Sequence, residues 1–181
     1  MNSALKFVTC VAVLFGVALA HAQPVDPEGK EELPGSTSKY EAGFQVGKLL
    51  PNQIPGVTEI LSLGGIRGGY RISPSSFLES GLIMGNGNGV EWKNYHADLR
   101  IDMPIEGVLA MAYLGGDAIY YTGVAKSSKL IFGGHAGGGV KAPISGDTWF
   151  RVDMKFGFSP GTSLYIGAGF EFRFGEADSA R

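Results

Sequence analysis

The sequence predicts an all-β protein, an antiparallel up-and-down transmembrane β-barrel of about eight strands. Three observations predict it. Apolar and polar side chains alternate through most of residues 40–174, short Gly-, Pro-, Asn- and Ser-rich segments punctuate the alternation, and no stretch carries a helical period. The last run, 161–174, is the clearest. Leu164, Ile166, Ala168, Phe170, Phe172 and Phe174 share one parity, and Tyr165, Gly167, Gly169, Glu171 and Arg173 share the other. A strand sends alternate side chains to opposite faces, so this run has one apolar and one polar face. It is longer than the roughly five or six residues of a typical soluble strand, and long enough to cross a bilayer at a tilt, which takes about 9–11.

The chain of 181 residues has room for one domain with tails, and its net charge of −2 excludes the basic surface that nucleic-acid binding requires. Glycine, at 29 residues, is about twice as frequent as usual and asks for a fold that uses many small side chains. Residues 1–22 read as a signal peptide: Lys6, an apolar run over 7–20, then Ala20-His21-Ala22 before Gln23. The only cysteine, Cys10, lies inside that run, so the mature chain has neither disulfides nor thiolate chemistry. Residues 23–38, rich in Pro, Glu, Gly and Ser, form a flexible N-terminal tail. The barrel spans 39–174 and a C-terminal tail 175–181.

The runs follow in order. In the first, Tyr40, Ala42, Phe44 and Val46 oppose Glu41, Gly43, Gln45 and Gly47, before a loop marked by Pro51, Asn52 and Pro55. The second covers 59–72, with Ile66, Tyr70 and Ile72 opposite Arg67, Gly69 and Arg71, and turns at Ser73-Pro74-Ser75-Ser76. The third, 77–85, sets Leu78, Leu82 and Met84 against Glu79, Gly81 and Ile83. It ends at Asn86-Gly87-Asn88-Gly89, a strong hairpin signal because Asn and Gly accept positive φ. The fourth alternates strictly: Tyr95, Ala97, Leu99, Ile101 and Met103 against Asn94, His96, Asp98, Arg100 and Asp102, with Pro104 closing it.

The fifth run, 105–114, places Gly107, Leu109, Met111 and Tyr113 opposite Glu106, Val108, Ala110 and Ala112. Residues 115–128 read as the longest connection and hold Tyr120 and Tyr121. The sixth, 129–142, places Leu130, Phe132, Ala136 and Val140 opposite Ile131, Gly133, His135, Gly137 and Lys141. A turn at 143–147 leads to the seventh, where Phe150, Val152, Met154, Phe156 and Phe158 oppose Arg151, Asp153, Lys155 and Gly157.

Alternation alone does not say which face points inward. A soluble barrel buries its apolar parity, and a membrane barrel reverses this around a polar lumen. Long strands, aromatics at the ends of the apolar parity (Tyr40, Tyr95, Tyr113, Phe150, Phe158, Phe174) and glycines on the polar parity favour the membrane.

The signal peptide, the amphipathic strands, the short turns and the aromatic last strand together resemble the small eight-stranded outer-membrane β-barrel proteins of Gram-negative bacteria, a group of opacity-type proteins, adhesins and anchors. The resemblance implies outer-membrane lipid and the barrel insertion machinery as partners. Here seven residues, 175–181, follow the final aromatic. With both termini in the periplasm, the outer loops would be 50–58, 86–91, 115–128 and 159–162, the places where a surface ligand would meet the protein.

On this reading Glu41, Arg67, Arg71, Glu79, Asp98, Arg100, Asp102, Glu106, Arg151, Asp153, Lys155, Glu171 and Arg173 point inward. Buried charges of mixed sign are tolerable when paired, so they form a lumen network that plugs the barrel; a selective ion path is the alternative. His135 and His96 help to satisfy this polar interior. Neither is placed as a catalytic base, and no enzyme activity is expected. The glycine runs precede no helix, which excludes a phosphate loop, and the histidines lie too far apart in sequence for a metal-binding motif, so no cofactor is expected. Tyr120 and Tyr121 are the candidate loop contacts. The expected role is structural or surface-interacting, with a narrow channel or small-molecule transport barrel as the alternative.

Overall fold

The computed structural model describes residues 38–105, 107–122 and 128–176. The expected signal peptide, all of the expected N-terminal tail but Ser38, and residues 177–181 lie outside the described residues. Eight antiparallel strands close into one barrel: β1 (Ser38–Asn52), β2 (Leu61–Ser73), β3 (Ser76–Gly87), β4 (Val90–Ile105), β5 (Val108–Thr122), β6 (Ser128–Ser145), β7 (Thr148–Gly157) and β8 (Thr162–Glu176). Each strand pairs with its sequence neighbours, and β8 returns to β1. This is the up-and-down barrel the alternation predicts.

The register fixes the shape. Following partners from Tyr40 through Tyr70, Leu78, Leu99, Leu114, Ala136, Phe156 and Leu164 returns to β1 at Leu50, ten residues along from Tyr40. A stagger of that size requires tilted strands, and eight tilted strands leave an interior just wide enough for side chains to fill.

Hairpin connections are short because the turn residues allow it. Asn88 and Gly89, at φ 48° and 81°, make the two-residue turn between β3 and β4. Positive φ at both positions matches the twist of the flanking strands. One rim carries this turn, the 53–60 loop and the connections 123–127 and 158–161. The other carries both ends of the barrel and the turns after β2, β4 and β6.

The apolar parity faces out. Phe44, Val46, Ile66, Leu99, Leu114 (67% exposed) and Phe132 (75%) all project from the barrel wall. Such a continuous apolar belt is far larger than a soluble monomer tolerates. Near the chain ends the belt is aromatic: Tyr40 stacks on Phe174 at 5.8 Å and meets Tyr70 at 5.6 Å, while Phe170 touches Phe44 and Phe150.

Two expectations are corrected in β5. The strand does not end at residue 114; it runs to Thr122, because Gly115 and Gly116 pair with Asp98 and Ala97 on one side and His135 and Gly134 on the other. Most of the expected long connection is therefore wall. Its faces are also the reverse of those expected. Leu109, Met111 and Tyr113 are buried in the lumen, and Ala110, Ala112 and Leu114 face outward. Tyr113 is not a girdle residue: its hydroxyl donates to the Met154 carbonyl at 2.9 Å. Val108, Ala110 and Ala112 on the outward face are apolar like Leu109, Met111 and Tyr113 on the inward one, so hydrophobicity does not distinguish the two sides of β5.

The lumen has two halves. At the rim of the longer connections an apolar cluster fills it: Leu49, Leu61, Leu63, Ile83, Trp92, Ile119 and Tyr165, joined by Ile54 and Val57 from the 53–60 loop. That loop turns inward on a Val57 N–H to Ile54 carbonyl bond of 3.1 Å, so two side chains of the connection itself close the mouth. The other half is charged.

Candidate functional site

Ten charged side chains meet in the charged half, five of each sign among the described residues. Arg100, with no exposed surface, stands at the centre. Its guanidinium donates to Glu41, to Glu79 and, through Nε at 2.8 Å, to Asp102. Arg151 donates to Glu79 at 2.6 Å and to Asp153 at 2.6 Å, and lies 3.5 Å from Glu171. Arg67 reaches Asp153 at 2.8 Å. Lys141 holds Glu171 at 2.8 Å, Asp102 at 3.2 Å and Glu41 at 3.4 Å. Arg173 pairs with Glu171 and lies over Trp149, 4.1 Å from the ring centre.

Phe77 supplies an aromatic floor, with Arg100 at 4.4 Å, Arg71 at 4.8 Å and Lys141 at 5.5 Å from its ring centre. These groups come from every strand except β5. The network therefore ties the wall to itself across the lumen as well as around it. Planar, multidentate arginines bridge several carboxylates at fixed geometry, which a lysine cannot do.

Of the inward residues read from the sequence, Glu41, Arg67, Glu79, Arg100, Asp102, Arg151, Asp153, Glu171 and Arg173 meet in this network. Asp98 and Lys155 are buried nearer the apolar half. Arg71 is half-buried at the rim, donating to the Ser38 and Pro74 carbonyls at 2.7 and 2.9 Å. Glu106 lies outside the described residues. Lys141 and Asp117 complete the set. The alternation puts Lys141 on the polar parity, whereas Asp117 lies within 115–128, which reads as a connection from the sequence alone.

Tyr120 and Tyr121 lie in β5 rather than in a loop. Tyr121 is buried against Trp92, ring centres 5.6 Å apart, and only Tyr120 faces outward, beside Lys93. Tyr121 is thus part of the apolar cap and is not available as a surface contact.

A second cluster sits between the network and the cap. His135 is enclosed by two carboxylates: Nδ1 lies 2.7 Å from Asp117 Oδ2 and Nε2 lies 2.5 Å from Asp98 Oδ1. Asp98 Oδ2 takes the Nδ1 of His96 at 2.9 Å. Asn94 donates to Asp117 at 2.8 Å, and Lys155 Nζ stands 3.8 Å from the same carboxylate. The cluster exists because Gly115 separates its members: β5 pairs Gly115 with Asp98 on one side and with His135 on the other. A Cβ at Gly115 would lie 2.9 Å from the Asp98 Cα, a backbone atom that cannot yield. Gly115→Ala is expected to cost about 1–3 kcal/mol, the range for forcing a methyl into a packed site. Urea unfolding of the barrel in lipid vesicles checks it.

No protein-family model matches the chain, and no curated protein matches it. Solved structures do. The N-terminal β-barrel domain of Pseudomonas aeruginosa OprF superposes with a TM-score of 0.60 at 12% identity, over 76% of this chain and 99% of that one. Neisserial surface protein A gives 0.59 at 14% identity, over 75% and 96%. The outer membrane protein OprG of P. aeruginosa gives 0.52 at 8%, over 76% and 96%. The fold is that of the small eight-stranded outer-membrane β-barrels of Gram-negative bacteria. An apolar belt facing outward around buried charge is the arrangement that such a fold requires in a membrane.

Proposed function

We propose that the protein is an integral outer-membrane barrel whose lumen is plugged by charge and does not conduct, and whose role is structural or surface-interacting through its rims. One observation carries the reading: the five cations and five anions of the charged half hold one another in direct contact, and an apolar cluster closes the lumen beyond them. An ion entering from either side would have to break paired charges or cross an apolar layer.

With the termini on the periplasmic side, the 53–60 loop and the connections 88–89, 123–127 and 158–161 would meet the exterior. These are short, so a partner would be met at the rim itself. The arrangement of the histidines supports a non-catalytic role, since both ring nitrogens of His135 face carboxylates and none faces a hydroxyl.

Planar-bilayer recording on the folded protein tests the plug. Silent membranes, with insertion confirmed by a mobility shift between unboiled and boiled samples, are the expected result. Steady, ion-selective openings would overturn the plug and favour the narrow-channel reading.

A further inference from the structure

Both ring nitrogens of His135 face carboxylates, and the ring has no exposed surface. A neutral imidazole carries a proton on one nitrogen only, so the other would turn its lone pair on a carboxylate oxygen, 2.7 Å away at Asp117 or 2.5 Å away at Asp98. The Asp98 contact is an ion pair by distance rather than an aligned hydrogen bond, so charge more than direction holds it. The arrangement calls for the doubly protonated ring. The other groups around it do not replace that charge. From β4, His96 stands edge-on, ring centres 6.0 Å apart, with its Nδ1 2.9 Å from Asp98 Oδ2. From β5, Tyr113 brings a neutral ring at 6.1 Å and Gly115 no side chain. From β7, Gly157 pairs with His135, and Lys155 is the only lysine or arginine at ion-pair distance from either carboxylate among the described residues. Its Nζ is 3.8 Å from Asp117 and forms no hydrogen bond.

We propose that His135 is a pH-sensitive latch: its imidazolium ties β4 and β5 to β6 beneath the apolar cap, and the tie is released when the ring gives up one proton to solvent. Histidine is the side chain suited to this, since its charge is the one that changes near neutral pH. With the ring neutral, Asp98 and Asp117 keep two negative charges in a buried site against Lys155 alone, and a buried charge without its partner is costly. The effect reaches the cap through Asp117. Its Oδ1 takes the Asn94 amide at 2.8 Å while its Oδ2 faces His135. Asn94 and Asp117 line a cavity of about 20 Å³ whose other walls include Trp92, Leu63 and Ile119 of the cap. That void has room for a water, so carboxylates freed from the ring can be hydrated from the cap side. The tie holds while the ring is charged and is lost as pH rises, so stability falls toward alkaline pH.

The latch is tested by urea unfolding in lipid vesicles at about pH 6 and about pH 9, on either side of the histidine range. The folding equilibrium constant of the wild type is expected to fall at least about tenfold between them, the effect of a proton held ten times more tightly in one state than in the other. His135→Lys keeps a positive charge that does not titrate in this window and is expected to flatten the slope. Asp117→Asn is expected to flatten it as well, because an amide N–H can donate to the neutral ring and the one remaining carboxylate needs one proton. His96→Gln is expected to keep it. In Trp149→Phe the cap residue Trp92 is the only tryptophan, and its emission is expected to move to longer wavelength at the higher pH as water enters the cap. A histidine that merely fills a polar interior would leave that emission fixed. Asp117→Asn decides the matter if His135→Lys fails to fold. A wild type whose stability and Trp92 emission are the same at both pH values, a slope that survives in Asp117→Asn, or one that disappears in His96→Gln would overturn the proposal.

Discussion

Arg100→Met is expected to destabilise the barrel by about 3–5 kcal/mol, the cost of removing one partner from a buried ion pair and leaving the other charge unmatched. The size follows from the number of groups stranded. Glu41, Glu79 and Asp102 all take hydrogen bonds from this one guanidinium, and all are buried. Arg151 still holds Glu79, and Lys141 still holds Glu41 and Asp102, so the network weakens without dissolving. Methionine fills most of the vacated volume, so the measured loss reports charge rather than a cavity.

The double variant Arg100→Met with Glu79→Gln separates the causes. If unmatched charge is the cost, the second change relieves part of the first and the pair costs less than the sum. Strict additivity would show instead that packing around Arg100 dominates. Urea titration in lipid vesicles, read by the fraction with folded mobility on unboiled gels, gives both numbers. Arg100→Lys is expected to fall between wild type and methionine, because the ammonium keeps the charge but cannot hold three carboxylates in a planar fork.

How much of this was legible in the sequence depends on where each strand keeps its charges. In β4 and β8 every charged residue of the central stretch lies on one parity, and the structure puts that parity inside. β5 offered no such contrast: Leu109, Met111 and Tyr113 alternate with Ala110, Val108 and Ala112, both sets apolar, and the one charge that would have oriented the strand, Asp117, follows a Gly-Gly pair that reads as a break. The partners within the lumen were not legible at all. Asp98 meets His135 only because the register sets both opposite Gly115, and Arg100 meets Glu41 across the barrel. Alternation tells which residues share the interior; closure and stagger decide which of them touch.

The second large effect tests the face assignment from the outside. Leu114→Arg is expected to destabilise the barrel in a bilayer by about 2–4 kcal/mol, the cost of a charged side chain on the lipid face near the midplane. Leu114 is 67% exposed and lies close to the centre of β5, far from either rim where a long side chain could reach the headgroups. The same substitution on the surface of a soluble barrel would be nearly neutral, since an exposed arginine in water costs little. Depth provides the control: Ile144→Arg, also outward but at the last turn of β6, is expected to cost no more than about 1 kcal/mol, because arginine there reaches the interface. Unfolding free energies measured in vesicles that separate these two positions would require a lipid environment around the belt. Equal and small effects would require water there, and would turn the exposed apolar face from a lipid contact into an unexplained liability.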